Sequence, residues 1–209
     1  VLIIAERLER YGLRLNGSRE VPMIKVLNNT RSYFNQYHDV TDLPKTVKNE
    51  KNRTCNVTCL AMITGQHPDD VLQHMFQKYG VNDQFQWESH LVDYLNERYY
   101  ECKKLTKHAY PKARKITNDE LEMIMGELIK GKVILYHKKG HYQLMIGYHI
   151  REGKVEFIFN DPAGDRTKMR WNRTKESGFQ VVYTHAKVKR EKIYGSCWSV
   201  DTEMRCKSV

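Results

Sequence analysis

Two stretches late in the chain, residues 141–150 and 155–160, read as strands joined by the polar turn Arg151-Glu152-Gly153-Lys154. That pattern is a β-hairpin signal, and it commits this half of the chain to an antiparallel sheet. Antiparallel pairing sets the start of one strand beside the end of its partner. His141 opens the first strand and Asp161 closes the second, so the two side chains become neighbours although 20 residues separate them. Asp161 is a better partner than Asp165, because it ends a regular strand and Pro162 fixes the turn that follows. The apolar run Val133-Ile134-Leu135-Tyr136, bounded by charge, reads as a central strand beside the hairpin. His149 and His185 stand away from this corner and read as structural.

A second constraint lies upstream, in Thr54-Cys55-Asn56-Val57-Thr58-Cys59-Leu60-Ala61-Met62-Ile63-Thr64-Gly65. Val57, Leu60, Ala61 and Ile63 share a face at helical spacing, and Gly65 is a natural stop. The loop thus turns into a helix with a cysteine in its first turn. A thiol there meets the positive end of the macrodipole and unpaired backbone N–H groups, which favour the thiolate. Cysteine is also a common buried residue, so this placement acquires chemical meaning only through a His partner. His141, oriented by Asp161, is that partner, and the three together form a Cys–His–Asp set suited to nucleophilic catalysis.

Other helices precede the strands. Pro68-Asp69-Asp70 starts one whose inward side is Val71, Leu72, Met75 and Phe76, with Gly80 at its end. Trp87, Leu91, Tyr94 and Leu95 repeat at helical period over residues 86–101. Thr117 to Glu120 carries capping-box chemistry for a helix over 119–130. Helices early and strands late give an α+β domain. We take residues 1–30 as an N-terminal arm or linker with a short amphipathic helix at 2–13, 31–190 as the domain, and 191–209 as a tail. Val21–Val26 and Gln180–Thr184 read as further strands, 37–53 as a surface loop, and 103–115 as basic and irregular.

Three motifs, "TCNVTCLAM" around Cys55, "GHYQLMIGY" around His141 and "FNDPAGD" around Asp161, resemble the double-glycine (bacteriocin-processing) peptidase-like branch of the papain-like cysteine peptidases. The resemblance covers roughly residues 31–166. It implies a helical half facing an antiparallel sheet, with Cys55 as nucleophile, His141 as base and Asp161 orienting the imidazole. It also implies an oxyanion-stabilising Gln ahead of the cysteine and no metal or organic cofactor. Gln36, in "SYFNQYHD", is the match, 19 residues before Cys55; the spacing of six more usual in the family falls on Asn49. The stand-alone bacterial and phage members are the nearest in pattern. For them a peptide bond of the cell wall is the expected substrate, at an extracellular or virion-associated site. The rival expectation is a non-catalytic module of a larger assembly such as a phage tail, attached through residues 1–30.

The formal net charge of +10 suits attraction to an anionic surface such as a wall polymer, a membrane or nucleic acid. No nucleic-acid motif accompanies the basic runs at 103–115 and 187–192, so charge alone speaks for that partner, and no run reaches the length of a membrane span. Five cysteines at irregular spacing are no disulfide framework, although Cys197 and Cys206 stand close enough in sequence to bridge. The sequons at Asn16, Asn28, Asn52, Asn56 and Asn172 read as accidental in an Asn- and Thr-rich chain. Trp171 and Trp198 read as packing residues, with flooring a substrate groove as the rival role.

Overall fold

The computed structural model describes residues 24–28, 30, 32–36, 39–41, 54–80, 88–109, 112–138, 140–151, 154–163, 172–174 and 178–202. The expected helix at 2–13 lies outside them, as do Asn49, Asp165, Trp171 and Cys206 and most of the loop 37–53. Five helices are described: α1 (Cys55–Thr64), α2 (Pro68–Tyr79), α3 (Glu88–Asn96), α4 (Asn118–Ile129) and α5 (His185–Arg190). The strands are β1 (Ile24–Leu27), β2 (Cys102–Lys104), β3 (Arg114–Lys115), β4 (Val133–Lys138), β5 (His141–Arg151), β6 (Lys154–Asn160), β7 (Asn172–Thr174), β8 (Gly178–Thr184), β9 (Lys192–Ile193) and β10 (Trp198–Val200).

All ten described strands join one antiparallel sheet whose main path is β2-β10-β4-β5-β6-β8-β7. The architecture is α+β and papain-like, with the cysteine helix facing the sheet. β4 borders β5 over residues 141–145, and β1 takes over that edge at 147–150. The continuous apolar run of β4 reflects burial on both faces. Val133 and Leu135 join the core under α1–α3, whereas Ile134 and Tyr136 join the core under α4 and α5. The sheet is therefore sandwiched between helices, not packed on one side only.

Within β5 the register slips between Met145 and Gly147, leaving Ile146 as the extra residue of a β-bulge. Tyr142, Leu144 and Ile146 face the α1 core, while Met145, Tyr148 and Ile150 face the α4 core. The bulge thus flips the parity of inward-facing positions, so one strand serves both layers.

α1 is buried all round, from Cys55 to Ile63, and not on a single face as its spacing suggests. The segment contains no charged residue between Thr54 and Gly65, so nothing requires a solvated side. α4 has the expected capping box, with Thr117 and Glu120 each bonded to the other's backbone N–H. α3 is shorter than its periodic stretch. The chain leaves the α-helix through a turn at Arg98 and Tyr99, the latter at φ 63°, and residues 102–104 then pair as β2. β10 sits between β2 and β4, so the sheet continues past residue 190; β1 likewise precedes residue 31. Asn28 donates its amide to the carbonyls of Leu128 and Lys132, a packing role for that sequon.

Lys138 and His141 are paired, so β4 and β5 are joined by the two residues Lys139 and Gly140. Gly140 has φ 72°, a left-handed conformation that an L side chain adopts at a cost of about 1–2 kcal/mol. Open space surrounds the position, so strain and not collision sets the penalty. Gly140→Ala should therefore lower stability by about 1 kcal/mol, and Gly140→Asn by less. Urea denaturation midpoints of the three proteins test this order.

Candidate active site

Cys55 is the first residue of α1, with Thr54 as the N-cap. The Thr54 side chain makes no capping bond, and Thr58 N–H and Oγ1 both go to the Thr54 carbonyl. The Cys55 N–H, in the first turn, has no intrahelical acceptor. The sulfur accepts the Tyr142 backbone N–H at 3.4 Å. That contact ties the helix tip to the start of β5, next to His141.

Asp161 follows the last residue of β6 and is 6% exposed. Its Oδ1 lies 2.7 Å from His141 Nε2 and accepts the Ala163 N–H at 2.9 Å, while Oδ2 accepts the Gln143 amide. Tyr33 Oη donates to the Asp161 carbonyl at 2.8 Å. With Nε2 committed to Asp161, Nδ1 is the imidazole nitrogen left for Cys55, to which His141 is also hydrogen-bonded. The hairpin register explains the meeting: Leu144 pairs with Asn160, so Asp161 falls opposite Gln143, two residues along the same strand from His141.

Burial alone would push the His141 pKa down; its bonds to Asp161 and Cys55, with their charges, carry it up to about 9. Burial would likewise raise the Asp161 carboxyl, but the bond and charge of His141, the Ala163 N–H and the Gln143 amide hold it below its ordinary value. Cys59 differs. Full burial, then the nearby Cys55 and Asp161, push its thiol well above the ordinary value. The sulfur at the helix tip faces an imidazole, and the sulfur one turn further on faces the core.

Gln36 is also brought to this corner. Its N–H donates to the Pro162 carbonyl at 2.9 Å, and its buried side chain leaves Oε1 without a partner among the described residues. Gln143 was not anticipated by sequence reasoning. The available signal is the two-residue period of a strand, which puts it on the same face as His141. His149 pairs with Glu156 across the hairpin, in keeping with a structural role. Cys55, Cys59, Cys102 and Cys197 are all free thiols.

Residues 29–189 match the Peptidase_C39 like family. The chain belongs to that family. It is a family of cysteine peptidases, and the match spans the helix tip, the hairpin and the turn after Asp161. No curated protein matches the chain. No described helix is long and apolar enough to cross a membrane.

A raised histidine pKa is also a statement about stability. A group whose folded pKa exceeds its unfolded value, here about 9 against about 6.5, stabilises fully below the lower value. That contribution is lost as the pH rises through the higher one. The stability gap between the native and His141→Gln proteins should therefore be largest near pH 6 and shrink toward pH 10, by urea denaturation. In the folded protein at pH 6, iodoacetamide should label Cys55 and leave Cys59 intact, as peptide mapping would report.

Proposed function

We propose that the protein is a cysteine peptidase in which Cys55, His141, Asp161 and Gln36 act together on a peptide bond. The observation that carries this reading is one imidazole bonded to a buried carboxylate through Nε2 and also bonded to the helix-tip thiol, whose sulfur accepts the N–H of the next residue, Tyr142. Cys55 attacks the carbonyl carbon as thiolate, with its proton held on His141. The imidazolium then gives that proton to the leaving amine, and water releases the acyl group from sulfur. Asp161 keeps Nε2 protonated, so Nδ1 is the nitrogen that exchanges a proton with sulfur and substrate. The Cys55 N–H, which has no intrahelical acceptor, and the Gln36 amide stabilise the oxyanion.

The substrate we favour is a peptide of the bacterial wall. Its support is the net charge of +10, which concentrates the protein on a polyanion, and the motif resemblance to stand-alone bacterial and phage members. This reading sets the place of action outside the cell or within a virion, with the residues ahead of β1 as the attachment to a larger assembly.

Cys55→Ala should abolish hydrolysis with the fold intact. Asp161→Asn should lower turnover by roughly two to four orders of magnitude, since the mis-set tautomer cannot exchange the proton. The native rate should fall above a pH of about 9 as the imidazolium is lost. An active Cys55→Ala protein would refute the assignment. Gram-positive sacculi should retain the native and Cys55→Ala proteins equally at low salt, but only the native protein should release amino groups. Short soluble peptides should be cut at a rate nearly independent of salt, because screening acts on the long-range attraction alone. Retention without release under reducing conditions would point to a non-catalytic wall-binding module.

A further inference from the structure

A cleft of about 830 Å³ opens on the α1 side of the sheet, between the first turns of α3 and the strands β2, β4 and β10. Glu88, Asp93, Lys104, His137, Tyr142 and Trp198 are among its lining residues. Tyr142 connects it to the candidate active site: the Tyr142 side chain lines the cleft, and its backbone N–H is the group bonded to Cys55 Sγ. One residue thus joins the cleft to the sulfur.

The cleft is built, not left over. Glu88 accepts Trp198 Nε1 and the Ser196 N–H, each at 2.7 Å, which fixes its carboxylate in place. His137 stacks on Tyr142 with ring centroids 3.9 Å apart. Both side chains close on the backbone at Gly195, where a Cβ would fall 2.3 Å from Glu88 and 2.4 Å from His137. The Tyr142 hydroxyl, on a residue 5% exposed, has no partner among the described residues, and neither does His137 Nδ1. A buried hydroxyl left unbonded is costly, and a ligand that bonds to it recovers that cost.

The charges indicate which ligand. Two carboxylates, Glu88 and Asp93, face a single lysine, Lys104, whose ammonium is 5.8 Å from the Trp198 ring centroid. Burial, the largest influence on His137, lowers its pKa to about 4, so it adds no positive charge near neutrality; His108 reaches Glu88 at 3.5 Å as an exposed imidazole. Asp93 is exposed. On a chain of net charge +10, this cleft carries an excess of negative charge between aromatic faces. Carboxylates with aromatic walls recognise cations.

We propose that the cleft is the subsite for a cationic side chain, a lysine-type ammonium, of the peptide on which Cys55 acts. The ammonium lies between the Glu88 and Asp93 carboxylates and donates to the Tyr142 hydroxyl, with its alkyl stem along Trp198. This rests on the cysteine-peptidase reading for the meaning of the site, but its binding chemistry is testable without turnover.

The experiment scans one Lys, norleucine or Glu through each position of an alanine-rich hexapeptide. Binding to the Cys55→Ala protein is measured by calorimetry, and cleavage by the native protein is measured in parallel. At one position Lys should be preferred over norleucine by about tenfold, and Glu should be disfavoured. The lysine-to-norleucine ratio is the readout. It should approach one in Asp93→Lys and widen in Lys104→Gln, and both substitutions fall on exposed positions that the fold tolerates. Lysine-selective binding to the Cys55→Ala protein without cleavage by the native protein would support the subsite and count against the peptidase reading. Cleavage with no lysine preference at any position, or a ratio untouched by both substitutions, would overturn the subsite and leave the peptidase reading standing.

Discussion

Asp161 carries a carboxylate into the interior, where an ionised group is tolerable only if donors surround it. Three donors reach it, and they come from different parts of the chain: His141 and Gln143 from one strand, Ala163 from the turn that follows. The backbone carbonyl of the same residue accepts Tyr33, and the next carbonyl accepts Gln36. A single buried charge thus fixes the hairpin register at its open end and anchors the segment that precedes the cysteine. The same donors set the imidazole tautomer, so structural satisfaction and chemical orientation are one arrangement.

The two sulfurs of α1 show how position alone separates identical groups. Cys55 stands where the helix N–H groups point and where an imidazole approaches; Cys59, one turn on, is enclosed by the core and by negative partners. Nothing in the chemistry of cysteine distinguishes them. The difference is about 6 Å of helix rise, at about 1.5 Å per residue, and a strand that begins at His141.

Much of this was legible in the residues. The hairpin turn and the strand ends predicted that His141 and Asp161 would be neighbours, because antiparallel pairing leaves them no other relation. The helix starts at Cys55 and Pro68 and the capping box at Thr117 followed from local chemistry that tertiary context did not override. What escaped were features decided by the partner across the interface. The full burial of α1 depends on a sheet on one side and α2 and α3 on the other. The insertion of β10 between β2 and β4 depends on pairings between residues far apart in sequence, which composition near residue 198 does not announce. The bulge at Ile146 had one visible sign, Gly147, which strand periodicity treats as an interruption and not as a switch of faces. Gln143 was hidden for the opposite reason: it is an unremarkable polar residue in a strand until the register places it opposite Asp161.

α1 has no charged residue and no side that faces water, and this bears on how the protein loses its competence. A helix with a solvated face can fray or detach while the remainder of a domain persists. This one has no stable existence apart from the core it fills, because leaving that core exposes apolar surface on every side. The sulfur and its imidazole therefore come together in the same cooperative event that closes the interior, and they separate only when the interior opens.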